Sequence, residues 1–359
     1  MTLHLRPTAF IDSPQRHDGA AERLAGTMLW FGQVEWIADG GRRLVATPDM
    51  PGEIARLMGE TRIRAERTWR NLTTPRAPLT LGERVLRLDQ PHVMGILNIT
   101  PDSFSDGGRF ADDPAGAAEA GVAMARAGAS LIDVGGESTR PGAASVWEGD
   151  EIARVQPVIE RLARSGTPVS VDTRKAAVME AALAAGAHMI NDISALLHDP
   201  RALEAAKASD VPICIMHAPS QGSDPHEGGA YEDAALDVYD WLERRVDAVT
   251  AAGIDRARLI VDPGLGFGKS VADNAAILNN LTLYHGLGCP LLIGASRKRM
   301  IGALSNEAPA DARLGGSLFL AMKAVEAGAQ FLRVHDVPET VQAVRVWRGL
   351  RDAALTARA

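Results

Sequence analysis

The sequence lacks the features that would place it outside a reducing, aqueous compartment. Only two of its 359 residues are cysteine, Cys214 and Cys289, and each sits inside an apolar run that reads as a buried strand, so no disulfide framework is implied. No apolar stretch reaches membrane-spanning length before a glycine or a charge breaks it, and the N-terminus lacks the basic-then-apolar layout of a secretory signal. Positive charge is also scarce. The formal net charge of -7 removes any general footprint for nucleic acid, so a bound anion would need a local cluster of cations. What remains is 46% hydrophobic and 23% charged, enough for a packed core and too apolar for disorder. A soluble cytoplasmic protein without nucleic-acid or membrane partners is the expectation.

From about Val93 onward short β-rich runs alternate with Ala-rich stretches of helical spacing, the rhythm that yields parallel sheets from βα units. The runs are 93–98, 131–134, 168–172, 188–192, 212–217, 259–262, 290–295 and 330–335; helices are expected at 114–127, 152–164, 176–185, 231–252 and 310–327. Eight strands with intervening helices predict a (β/α)8 TIM barrel. The rival, a doubly wound open sheet, would carry a nucleotide-binding glycine fingerprint after its first strand, and none is there.

Residues 1–80 do not follow this rhythm. They contain Trp30, Trp36 and Trp69 and no lysine, and the aromatic content predicts a folded, packed segment of mixed α/β character. A hairpin is expected around Asp39-Gly40-Gly41, a helix over 51–71, and a linker at 74–78, where two prolines fall. The expected division is an N-terminal extension at 1–80 and a catalytic barrel at 81–359.

Barrel chemistry sits at the C-terminal strand ends, and nearly every strand here ends in a polar residue. The first runs into Asn98-Ile99-Thr100 and a polar loop closed by Gly107-Gly108. The Asn98 amide oxygen suits Mg²⁺, which takes few protein ligands; ordinary turn chemistry explains the same residues. The second strand delivers Ser138-Thr139-Arg140-Pro141-Gly142, a hydroxyl and a guanidinium able to clamp phosphate oxygens or to form a solvated, capping loop. Strands three, four and six end in Asp172, Asn191-Asp192 and Asp262. Asp172, Asn191 and Asp262 could line a pocket for the donor edge of a 2-amino-4-oxopyrimidine ring, or serve as structural carboxylates.

The cations arrive late, as Ser296-Arg297-Lys298 after strand seven and Arg333-Val334-His335 on strand eight, where barrels often bind phosphate. Arg333 also has a planar face for stacking on a heteroaromatic ring, whereas a solvated face explains Arg297 and Arg299. Gly264 to Lys269 is glycine-rich without Walker or dinucleotide spacing. Phe267 within it fits a substrate wall or the core equally well. Met216 could present a thioether to a flat ring; His217 reads as a satisfied interior histidine, since no Cys/His spacing for a transition metal occurs.

Taken together these residues resemble the dihydropteroate synthase family of pterin-binding enzymes. Met94 to Gly108 looks like its first signature and Leu131 to Gly142 like its second, with Val171-Asp172-Thr173, Asn191-Asp192, Asp262 to Lys269, Ser296-Arg297-Lys298 and Arg333-Val334-His335 following in the family's order. The resemblance spans roughly residues 83–355 and leaves the N-terminal segment unexplained. It implies condensation of (7,8-dihydropterin-6-yl)methyl diphosphate with 4-aminobenzoate, the folate-biosynthetic step that sulfonamides block. Asp172, Asn191, Met216, Asp262, Lys298 and Arg333 would hold the pterin. Asn98 would ligate Mg²⁺, while Asn98, Thr139, Arg140 and His335 would hold diphosphate. Pro141, Phe267, Ser296 and Lys298 would border 4-aminobenzoate, with Asn98, Thr139, Arg140, Lys298 and His335 as the catalytic set. A homodimer is also implied. One departure is the Ala218-Pro219-Ser220-Gln221-Gly222 run after Met216-His217, where the family usually continues Met-x-Gly. A folate-dependent methyltransferase barrel acting on a corrinoid protein shares the Asp/Asn pocket but does not need the long first loop or the Ser-Thr-Arg-Pro-Gly and Ser-Arg-Lys segments. A non-catalytic pterin-binding protein would have no use for diphosphate ligands.

Overall fold

Residues 3–17, 19–38, 40–100, 113–140, 142–222 and 224–356 are described by a computed structural model. The N-terminal part is an antiparallel sheet of β1 (Leu3–Ile11), β2 (Glu22–Arg23), β3 (Trp30–Ala38) and β4 (Gly41–Ala46), with β3 between β1 and both other strands. The turn between β3 and β4 falls where Asp39-Gly40-Gly41 predicts it; Asp39 itself lies outside the described residues. Leu5, Phe31 and Val34 pack with Met50 and Leu72 in a core of their own. The helix expected over 51–71 is two helices, α1 (Met50–Ala55) and α2 (Gly59–Thr73). Residues 56–58 break the run, with Met58 extended at φ -131 and ψ 160, and α2 opens on Gly59 at φ +56, a left-handed backbone that glycine adopts without a Cβ penalty.

A small hairpin, β5 (Leu79–Leu81) and β6 (Arg84–Leu86), leads into the barrel. Its strands are β7 (His92–Asn98), β8 (Leu131–Gly135), β9 (Val169–Asp172), β10 (Met189–Asp192), β11 (Ile213–Met216), β12 (Leu259–Asp262), β13 (Leu292–Ile293) and β14 (Phe331–Val334). All are parallel, in the order β12-β11-β10-β9-β8-β7-β14-β13, and a parallel bridge from Val261 to Leu291 closes the ring. The outer helices are α3 (Pro114–Ala127), α4 (Glu148–Arg164), α5 (Ala176–Ala184), α6 (Ala202–Lys207), α7 (Ala234–Ala251), α8 (Val271–Asn279), α9 (Arg299–Leu304), α10 (Leu314–Glu326) and α11 (Val337–Thr356). The (β/α)8 barrel and the added N-terminal α/β segment are therefore both present.

Strand alternation sorts the side chains into two sets. Ile132, Val134, Val169, Val171 and Ile190 join the core shared with the helices. Met94, Leu131, Met189, Cys214, Ile260, Leu292 and Phe331 face inward at the bottom, where Leu79, Leu81 and Leu86 of the hairpin plug the barrel. On β8, β10, β12 and β14 the next inward position, nearer the mouth, is polar: Asp133, Asn191, Asp262 and Arg333. Both cysteines are buried and free.

The N-terminal unit docks on α7 through alternating charges. Arg64 reaches Asp240 at 2.7 Å and Glu243 at 2.8 Å; Arg67 reaches Glu243 at 2.9 Å and Asp247 at 3.1 Å; His4 Nε2 lies 2.9 Å from Asp240 Oδ1. Beneath them a buried 3-10 turn, Leu281–Leu287, is covered by β1 and α2: Thr282 donates to Pro7 O (2.9 Å) and Asn71 to Gly286 O (2.8 Å). The partly exposed ion pairs contribute about 0–1 kcal/mol each, so the apolar cover dominates. Deleting residues 1–78 would expose this turn. Uncovering two of its leucines costs roughly 3 kcal/mol, on the order of 10 °C in Tm. Thermal unfolding of the truncated chain should show that drop, and an unchanged Tm would refute the buttress.

Candidate active site at the C-terminal mouth of the barrel

Arg333 is the hub of the polar layer. Its Nε donates to Asp133 Oδ2 and its Nη2 to Asp172 Oδ2, both at 2.6 Å, while Asn191 Nδ2 donates to the same Asp133 oxygen at 3.0 Å. Three inward residues on alternate strands β8, β10 and β14 thus share one plane, with Asp172 from β9 beside them. Asp133 is fully buried, and its Oδ1 has no partner. Burial pushes the Asp172 carboxyl up to about 7, against the pull of the Arg333 guanidinium; those same two carboxylates raise Arg333 despite its own burial.

Across the mouth, Asp262 Oδ1 accepts from Gly264 N at 2.7 Å. Its Oδ2 faces the same space as the Arg333 stem: both lie within 4.0 Å of where a Cβ on Gly294 would sit. Burial raises Asp262, and the nearby Lys298 opposes that rise. Lys298 donates to Leu265 O and holds its Nζ 4.5 Å from the centre of the Phe267 ring; burial brings its pKa down to about 8. Phe267 packs against buried Met216. His217 is satisfied structurally, as its Nδ1 accepts from Lys269 Nζ at 2.9 Å and its ring meets Trp241 edge-on.

The rim carries the remaining candidates. His335 bonds Ser296 Oγ twice, through its backbone N (3.2 Å) and its Nδ1 (3.1 Å). Burial, then the charges of Arg333, Arg297 and Arg140, depress the imidazole to about 3, so it is neutral at ordinary pH and exposed Arg140 is its neighbour. Asn98 Oδ1 and Asp172 Oδ2 lie 3.5 and 3.7 Å from the point that a Cβ on Gly135 would occupy. Arg297 pairs with Asp336. Thr100 is described and buried; Pro141 and residues 101–112, including the rest of the first-strand loop, lie outside the described residues.

The described candidates therefore border one mouth apart from Thr139, which is placed through its backbone O, 2.8 Å from His226 Nε2. Three contributors escaped sequence reasoning. Asp133 is one, and the inward parity it shares with Leu131 was the available signal. Glu137 is another: it accepts from Val146 N (2.9 Å), Lys175 Nζ (3.0 Å) and Arg174 Nη2 (3.1 Å), tying together the two ends of the loop that carries Arg140. The third, His226, makes that contact with Thr139 O. Asp192, by contrast, faces outward and accepts from Ser194 N (2.7 Å), Ser194 Oγ (2.6 Å) and Leu196 N (2.8 Å), a turn-forming carboxylate.

Residues 94–335 match the family described as pterin binding enzyme. The chain is 47% identical to a dihydropteroate synthase of Escherichia coli K12 over 262 residues, 73% of this chain and 92% of that one. Among solved structures, a Xanthomonas albilineans dihydropteroate synthase with 4-aminobenzoic acid aligns with a TM-score of 0.71 at 47% identity, covering 76% of this chain and 98% of that one. A Yersinia pestis dihydropteroate synthase in a sulfonamide complex aligns at 0.73 and 45% identity, covering 77% and 100%. With that similarity spread across the whole barrel and its mouth, the chain belongs to the dihydropteroate synthases of the pterin binding enzyme family.

Proposed function

We infer that this mouth condenses (7,8-dihydropterin-6-yl)methyl diphosphate with 4-aminobenzoate, giving 7,8-dihydropteroate and diphosphate. The observation that carries the reading is the junction of an acid–amide floor, Asp133, Asp172, Asn191 and Asp262 around Arg333, with a rim made of the cations Arg140 and Lys298 and of neutral His335. The floor offers carboxylate acceptors and an amide to the donor edge of the pterin, with Met216 alongside. Thr139, Arg140 and His335 face the diphosphate. Phe267, Ser296, Lys298 and Pro141 border the arylamine.

Asn98 fits a magnesium ion: its amide oxygen and the Asp172 carboxylate face the same gap over Gly135, and Mg²⁺ takes one or two protein oxygens beside water and phosphate. Among the described residues no cluster of three acidic, His or Cys side chains could hold a transition metal instead. Bound there, the ion would offset charge on the departing diphosphate. The C–O bond to diphosphate breaks first and its electron pair leaves with the diphosphate, helped by Arg140 and His335, while the electron-rich pterin supports the exocyclic methylene cation. The amine lone pair then forms the C–N bond and its proton passes to water. No strong base is required. The test is diphosphate release on mixing both substrates with Mg²⁺; no release would sink the reading.

Lys298 makes this reaction pH-dependent. With its pKa at about 8, it loses the charge that steadies Asp262 as pH rises through that value, so kcat/KM for the pterin substrate should fall there. A profile that stays flat from pH about 7 to 9 would contradict this role.

We propose the same division, an extension at residues 1–80 and a catalytic barrel at 81–359, with the hairpin that straddles the boundary plugging the barrel floor. A homodimer is supported by exposed Leu304, Leu314, Phe319, Val346 and Leu350 on α9, α10 and α11, apolar surface that a monomer would leave wet; sedimentation will decide it. Among the described residues no helix is long and apolar enough to cross a membrane, and two buried free thiols suit a reducing cytoplasm. Sulfonamides should compete with 4-aminobenzoate.

A further inference from the structure

His226 sits between β11 and α7, shortly after the Ala218–Gly222 run that departs from the family's pattern. Its Nε2 lies 2.8 Å from Thr139 O. A carbonyl only accepts, so Nε2 carries the proton and donates. The same ring stacks on Phe267, centroids 4.8 Å apart and planes 13° from parallel. One side chain thus touches the loop bearing Arg140 and the aromatic wall over which Lys298 is poised.

The surrounding backbone holds this arrangement. Asp224 Oδ1 accepts from His226 N at 2.8 Å. The segment can press against the strand-six loop only because glycines meet there: a Cβ on Gly229 would sit 2.0 Å from Gly268 O, and one on Gly268 would sit 2.3 Å from Pro219 Cγ and 3.0 Å from His226 O. At the far end of the stretch Asp233 caps α7 and is gripped by Arg42 of β4 at 2.9 Å, so the N-terminal unit braces the same loop.

We propose that His226 is a positioning residue that latches the Thr139–Arg140 segment to Phe267 and so sets the width of the 4-aminobenzoate subsite. The inference rests on the reading that the arylamine binds beside Phe267. Both contacts act through other residues. The donor fixes where Thr139 and Arg140 stand, and the stack fixes the tilt of the Phe267 ring.

The test is steady-state kinetics on the full-length enzyme with each substrate varied in turn. His226→Ala should raise KM for 4-aminobenzoate about tenfold, the combined worth of one hydrogen bond and one ring stack. KM for the pterin diphosphate, whose diphosphate Thr139 and Arg140 face, should rise by a smaller factor, about two- to threefold. His226→Phe, which keeps the stack, and His226→Gln, which keeps a donor, should each recover part of the loss, a split that mere structural damage would not produce. Should His226→Ala fail to fold, His226→Phe carries the test with a smaller rise in the same constant. Unchanged KM for 4-aminobenzoate, or an equal rise for both substrates, overturns the latch while the wild-type activity stands. A wild-type enzyme that releases no diphosphate overturns the functional reading and the latch with it.

Discussion

Replacing Arg333 by methionine should lower the unfolding free energy by about 3–5 kcal/mol at neutral pH. The reason is that one guanidinium serves two buried carboxylates. Asp133 and Asp172 each accept a 2.6 Å bond from it, and Asp133 Oδ1 is already without a partner. With the charge gone, Asn191 Nδ2 is the one described side-chain donor left to Asp133, and two like charges face each other in a low-dielectric layer. Relief can come only by protonation. In the variant the folded pKa of Asp172, already up at about 7, rises further above the unfolded value, so the folded state binds more protons than the unfolded one, and stability falls as pH rises through that window. The loss should therefore be larger at pH about 8 than at pH about 5.5. Arg333→Lys, which keeps a charge but not the two-pronged fork, should fall between the two. Urea unfolding at both pH values checks this, and a loss under about 1 kcal/mol at the higher pH would show that the carboxylates find other partners.

The barrel was legible because its strands are short, apolar and regularly spaced, and polar residues appear where each strand meets the mouth. Parity could have carried the reading further. Counting by twos from Leu131 puts Asp133 inside, and counting from Met189 puts Asn191 inside and Asp192 outside; the structure gives those same faces. Two carboxylates that look alike in a string of letters are thus a site residue and a turn former. Local reading failed where partners are distant. His226 meets Thr139 across 87 positions, and no periodicity encodes that. The linker expected at 74–78 is followed by a hairpin whose leucines plug the barrel floor, visible only once the floor exists. The break between α1 and α2 lies in the extended Met58 and the left-handed Gly59 that follows it, a backbone detail that apolar spacing over 51–71 does not encode.

Removing either His335 or Arg140 from the rim should slow turnover by about 10²–10³-fold while leaving the pterin floor formed. His335 and Arg140 act differently. The imidazole is held neutral by burial and by three guanidinium charges, and with Nδ1 engaged by Ser296 Oγ its Nε2 is left to donate to an oxygen that gains charge as the C–O bond breaks. Arg140 is exposed on a loop, so its contribution is a charge that salt screens, and His335→Ala should be the less salt-sensitive of the two losses. Because Arg140 also depresses His335, Arg140→Ala should raise the imidazole pKa toward its ordinary value, which imidazole proton titration by NMR can follow. If both groups serve the same diphosphate, the double variant should lose less than the sum of the single losses in free energy. Calorimetric titration with diphosphate and, separately, with a pterin distinguishes the outcomes: weaker diphosphate binding with intact pterin binding is expected, and full diphosphate affinity in both single variants would remove these residues from the reaction.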